Sequence, residues 1–145
     1  IRDLTVWVFK REVADQIITH ATHEDWADGL LAMFVWMQNH PEETRSVVSS
    51  LGMEDLQIFL HKQLRAVMEP IVDQHSIDLR VTEDDRVFVT DHFTLAILGH
   101  ISQWLATGMS TDPYILTERI ARVLDGQVRR SLELFASSPH PPARA

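Results

Sequence analysis

Cysteine is absent from the 145 residues, which excludes disulfides and thiolate metal sites and fits a reducing compartment such as the cytoplasm. Glycine is scarce, five residues in all, and the chain offers neither a Gly-rich phosphate loop nor a Gly-x-Ser-x-Gly nucleophile turn. Cations are also in short supply: 13 Lys and Arg stand against 21 Asp and Glu, a formal charge of −8. Affinity for nucleic acid is drawn largely from cationic side chains that neutralise phosphates, so this chain alone is expected not to bind DNA. Long apolar runs are missing as well. The segment LLAMFVWM, Leu30 to Met37, falls far short of the roughly 18 residues that suggest a membrane span. No secretory signal pattern is visible. The expectation left standing is a non-enzymatic, cytoplasmic globular domain without a cofactor.

What the chain does have is helical periodicity. Apolar residues recur every three or four positions nearly throughout, and only Asp78 to Val89 resembles strand alternation, so the expected fold is all-α. Leu4, Trp7, Val8, Val13, Ile17 and Ile18 predict a helix from about Asp3 to Ala21. Thr22 and Asp25 resemble a capping box for a second, carrying Trp26, Leu30, Met33 and Met37 and ending before Pro41. Pro41 opens a short third helix that ends near Ser50. A fourth runs from Met53 to about His75, with Pro70 expected to kink or end it. Thr82 to Asp85 cap a fifth that reaches about Thr107. Asp112 and Pro113 start a last helix running to about Ala136. That makes six helices over residues 1–136, followed by a Pro-rich tail, 137–145, with nothing to bury.

The last two helices carry apolar residues over an unusually wide arc. In the fifth, Phe93, Ile97, Ile101 and Trp104 form one stripe and Leu95, Leu98, Leu105 and Ala106 another, wider together than the single face of about 100° that a surface helix needs. Ile120, Val123, Leu124, Val128 and Phe135 repeat the pattern, opposed by Leu116, Leu132 and Leu134. Either the same chain covers both faces, or a second copy does so in a four-helix bundle. In the second case Ile97, Ile101, Trp104, Ile120, Leu124 and Val128 form the seam, and Ser131 helps to fix its register.

The stretch Ile97 to Leu124, with its Trp-Leu pair, a following Gly and an Asp-Pro helix start, resembles the last two helices of the ligand-responsive domain in the TetR/AcrR family of transcriptional regulators. His40 to Val48 resembles that family's short body helix. Arg2 to Ile17 is similar to the helix that connects the body to the DNA-binding part. The resemblance implies a homodimeric repressor whose body binds a small effector, with residues 1–21 as the connecting helix. The helix-turn-helix that the family places ahead of that helix is not seen here, so DNA is expected to be contacted only through a missing segment. No membrane contact is implied.

The same resemblance sets an effector pocket among the middle helices, lined by Trp7, Met33, Trp36, Met37, Phe59, Gln63, Phe93 and His100. Met and aromatic side chains suit an apolar or aromatic ligand, with a few polar groups for orientation. Ordinary core packing explains the same residues, and an interaction domain with a filled centre is the rival reading. His20 and His23 stand three apart beside Glu24 and Asp25, a partial metal set. The expected helix break at Thr22 argues against it, and no metal is expected.

Overall fold

Local chemistry sets several of the helix ends. Thr82 Oγ1 accepts the Asp85 N–H at 3.1 Å, and Asp112 Oδ1 accepts the N–H groups of Tyr114 and Ile115 at 2.7 and 3.3 Å. These bonds satisfy first-turn donors that have no partner within the helix. Pro41 and Pro113 each occupy a helix start, where a missing N–H costs nothing. In the computed structural model, which describes residues 2–20 and 25–137, the elements are α1 (Arg2–His20), α2 (Trp26–Asn39), α3 (Pro41–Leu51), α4 (Met53–Ser76), α5 (Glu83–Ala106), α6 (Pro113–Leu124) and α7 (Gln127–Ser137). The all-α bundle stands. The segment with strand-like alternation forms a short connection and the start of α5, and no strand occurs among the described residues. The expected tail, apart from Ser137, and the Thr22 cap lie outside the described residues.

One of the two outcomes expected at Pro70 is excluded, and the last helix differs from its expected extent. Pro70 neither ends nor breaks α4, which continues to Ser76. The proline and Ala66, whose carbonyl loses its helical partner, are both exposed, so water can replace the missing bond. The single last helix is divided instead. Asp125 N–H closes α6 on the Ala121 carbonyl at 2.8 Å, Gly126 takes φ +74, and its own carbonyl already accepts Arg130 N–H at 2.9 Å as α7 begins. A side chain at φ +74 would be strained, which is why glycine holds the joint.

α4 and α5 form the antiparallel spine. Gln57 Nε2 donates to Ser102 Oγ at 3.1 Å, Arg65 Nε to Asp91 Oδ1 at 2.9 Å, and Arg86 pairs with Asp73 at 3.3 Å, a constant register along both helices. α1 and α2 pair in front of it, with Phe9 edge-on to Trp36 at 5.6 Å. α2 also meets α5, where Phe34 lies edge-on to Trp104 at 4.8 Å, and α6 runs along its other flank. The Gly108–Met109 turn ends α5 with paired bonds, Gly108 N–H to the Leu105 carbonyl and Met109 N–H to that of Trp104. The Trp104 indole N–H reaches the Thr111 carbonyl at 2.9 Å and holds that turn to the core.

α7 is tied back to the end of α4 by Arg129, which donates to Asp78 through two nitrogens at 2.6 and 3.0 Å and to the His75 carbonyl at 2.7 Å. The guanidinium hydrogen bond holds the Asp78 carboxyl below its ordinary value of 3.8. A carboxyl depressed in the folded state stabilises fully above its unfolded pKa, and that contribution is lost as pH falls through the lowered one. In a carbon-detected NMR titration, the Asp78 carboxyl is expected to titrate higher in Arg129→Ala than in the wild type; an unchanged midpoint would deny the guanidinium that role.

Candidate functional site

The centre of the bundle is a packed apolar layer. Phe9, Val13 and Ile17 from α1, Met33, Phe34 and Met37 from α2, and Leu56 and Leu60 from α4 are each at most 2% exposed. They face Phe93, Ile97 and Ile101 of α5, also buried. Buried hydroxyls are mostly turned onto nearby backbone carbonyls: Thr44 of α3 donates to those of Met37, at the end of α2, and His40, Thr90 to that of Arg86 and Thr94 to that of Thr90 within α5. Such bonds satisfy the polar atoms without offering them to a ligand.

Within this layer a crevice of about 10 Å³ remains where α1, α2, α4 and α5 meet, bordered by Ile17, Trp26, Leu30, Leu64, Val67, Met68 and Ile97. That volume holds about one water-sized sphere. The lining is apolar, and Met68 is the flexible residue in it. A shallow groove of about 480 Å³ lies on the outside, along α1, α2 and the start of α6, bordered by Gln16, Leu31, Val35, Trp36, His40 and Tyr114.

The eight residues expected to line an effector pocket are not gathered into one cavity. Met33, Met37 and Phe93 are core, at 0, 0 and 5% exposure. Trp7 is 56% exposed on the outside of α1, with the Arg11 guanidinium 5.0 Å above its ring, and His100 is exposed on α5. Trp36 stacks on His40 at 4.2 Å, at the outer groove. Phe59 and Gln63 are half-buried on α4, where Lys10 of α1 approaches the Phe59 ring at 5.4 Å. The crevice residues that the sequence reading left out, Leu64, Val67 and Met68 of α4 together with Ile17 and Leu30, belong to ordinary helical stripes, and nothing in their spacing separates them from the rest of the core. His20 and His23 lie outside the residues whose side chains are described.

The expected dimer seam needs a correction. Ile97 and Trp104 are 2% exposed, Ile101 0%, Ile120 3%, Leu124 9% and Val128 8%, all within a single chain. The inner stripe of α5 is consumed by its own subunit, with Trp104 on Phe34 of α2, and α6 packs on α2 while α7 packs on α4 and α5. These residues therefore need no second copy to cover them. Ser131 is half-buried. What α5 leaves outside is a different stripe: Phe88, 60% exposed, His92, Leu95, 56% exposed, Gly99, Gln103 and Ala106. At 100° per residue these six fall within about one third of the helix circumference. The α6–α7 segment adds Ile115, Val123 and Leu134, exposed by 48, 69 and 50%.

These features define a class: an all-α bundle with a methionine-rich apolar centre, a nearly closed internal crevice and an apolar outer stripe. Residues 24–126 match the family model described as transcriptional regulator C-terminal region, of TetR type. The chain belongs to that family and is the regulatory C-terminal kind of domain; TetR-type regulators are in general not enzymes. The match runs from just before α2 to the Gly126 joint. No curated protein and no solved structure matches the chain. Among the described residues, no helix is long and apolar enough to cross a membrane.

If Ile101 is core rather than seam, Ile101→Ala should lower the unfolding free energy by about 2–5 kcal/mol. In urea titrations that loss should not vary with protein concentration; a concentration-dependent loss would restore the residue to an interface.

Proposed function

We propose that the chain is the effector-responsive, homodimerising body of a TetR-type transcriptional repressor. The observation that carries this reading is the family match across α2 to α6. The outer stripe of α5 supports self-association. Leu95 is exposed beside Gly99, and a Cβ built on Gly99 meets nothing within 4 Å, so its own subunit does not need that space. Gly99 and Ala106 on this stripe, which also carries His92 and Gln103, permit close helix approach. Phe88 joins the stripe to α7 through its edge contact with Phe135 at 6.3 Å, so Leu134 and Val123 extend the same surface in this reading. A two-fold pairing of α5 with its copy would cover both stripes at once.

Ligand response would begin at the central crevice. Its volume, about 10 Å³, lies far below the roughly 300–1,000 Å³ of a small-molecule site. An apolar or aromatic effector therefore enters only by parting α1 from α4. Ile17 and the Lys10–Phe59 contact lie at that seam, so a bound ligand favours a displaced α1. Because α1 is the expected connection to the DNA-reading part, the displacement changes the spacing of two such parts on half-sites about 34 to 36 Å apart. The effect is limited to the ligand's preference for the displaced state, typically about 1–3 kcal/mol.

The same closed crevice favours one rival: a dimeric interaction domain whose centre is permanently filled. Two measurements separate the readings. Leu95→Arg should turn a dimer into a folded monomer in sedimentation, with unchanged helical circular dichroism; a wild-type monomer at micromolar concentration would refute the dimer. A thermal-shift screen of apolar and aromatic compounds should find stabilisation, about 2.7 kcal/mol at 100 times the dissociation constant, whereas uniform silence would leave the filled centre.

A further inference from the structure

The interruption of the last helix opens a cleft of about 500 Å³ between the start of α2, the end of α4 and the α6–α7 joint. This is separate from the central crevice, although Trp26 borders both. Its floor is apolar: Ile71, Leu124 and Val128 are 4, 9 and 8% exposed, and the half-buried Trp26 indole forms one side. Asp125 stands on the rim, and Trp26 and Asp125 together also border a second depression of about 370 Å³ between α2 and α6. The indole and the carboxylate are thus reachable from two sides.

The charges on the rim decide the ligand class. Arg129 is the cation of the cleft, and Asp78 and the His75 carbonyl already engage its guanidinium. Taking it for an anionic ligand would break the bond that fastens α7 to the end of α4. Asp125 is exposed at the joint, and among the described residues no side-chain hydrogen bond or ion pair has to be broken for its carboxylate to meet a ligand. A carboxylate beside an indole face offers a cation both a counter-charge and an aromatic quadrupole.

From this geometry we infer that the cleft is a binding site for a small organic cation with an aromatic body, its ring on Trp26 and the apolar floor and its ammonium group at Asp125. A ligand there touches Leu124 of α6 and Val128 of α7 across Gly126. It therefore sets the angle between the two helices and, through α7, the place of Phe135 against Phe88.

The test uses the whole chain labelled with nitrogen-15 and three probes with one ring system: 1-naphthylmethylammonium, the neutral 1-naphthylmethanol and the anionic 1-naphthoate. The ammonium compound should shift the Gly126 amide and the Trp26 indole resonances and should bind more tightly than the alcohol, with the naphthoate weakest. Asp125→Asn should weaken the ammonium compound by about threefold to fivefold and leave the alcohol unchanged. Val128→Phe, which fills the floor, should abolish all three. If that variant does not fold, Asp125→Asn alone decides the matter. Three results would overturn the inference: equal ammonium affinity in wild type and Asp125→Asn, naphthoate binding as well as the ammonium compound, or shifts confined to Leu30, Val67 and Met68. The last would place the ring in the central crevice, so the two sites are told apart by one spectrum.

Discussion

The structure depends on covering α2. Of its fourteen residues, only Asp28, Gln38 and Asn39 are exposed, so the helix presents apolar surface around most of its circumference and no single neighbour can hide it. α1 takes one side, α3 and the Gly108–Met109 turn close the lower end, and α5 and α6 supply the rest. Fully burying a side chain such as Leu30 or Phe34 is worth about 1.5–3 kcal/mol, and that gain is realised only when all these elements are in place. The wide apolar arcs of α5 and α6 are answered by this demand. α5 packs along α4 and on α7, and reaches α2 through Trp104 against Phe34.

That arrangement separates two kinds of seam. The α4–α5 spine is held by a regular set of side-chain bonds, at Gln57–Ser102, Arg65–Asp91 and Arg86–Asp73, along the whole length of both helices. α1 meets α4 without such a set of side-chain bonds, through the buried Ile17 near Leu64 and Met68 and one cation over a ring, Lys10 on Phe59, the latter contact worth about 0.5–1 kcal/mol at an exposed site. In the proposed reading α1 is the outgoing connection, so a ligand that enlarges the crevice beside Ile17 acts directly on the output helix.

The joint at Gly126 plays a comparable part at the other end. α6 and α7 do not share one hydrogen-bonded ladder, and α7 is held by the buried Val128 and Leu132, by the Arg129–Asp78 pair and by Phe135 against Phe88. The ion pair is exposed, where such pairs contribute little, so the buried side chains carry most of that hold. The outer stripe of α5 ends at the same Phe88, so the orientation of α7 and the shape of the outward apolar surface are linked.

Much of the local structure was readable from single residues. The Thr82 and Asp112 caps, Pro41 and Pro113 at helix starts and the three- and four-residue apolar spacing act over a few positions of chain, and each placed a helix within a residue or two. The Asp125–Gly126 pair carried a readable turn signal that the long apolar pattern around it masked. The family resemblance was legible in the order and spacing of helices, since these are set by length and turn chemistry. Which of two apolar stripes faces inward was not legible. Ile97 and Leu95 are chemically alike, and only the position of α2, α4 and α7 in space decides that one is 2% and the other 56% exposed. The same holds for the candidate pocket: the sequence supplied methionines and aromatics, but whether they enclose a space or fill it depends on side-chain volumes meeting from four helices. The sequence by itself determined the helices and their caps, because those are short-range bonds. Tertiary structure alone decided the seam, the closed crevice and the open cleft at Gly126, because burial belongs to the whole assembly of helices rather than to any one of them.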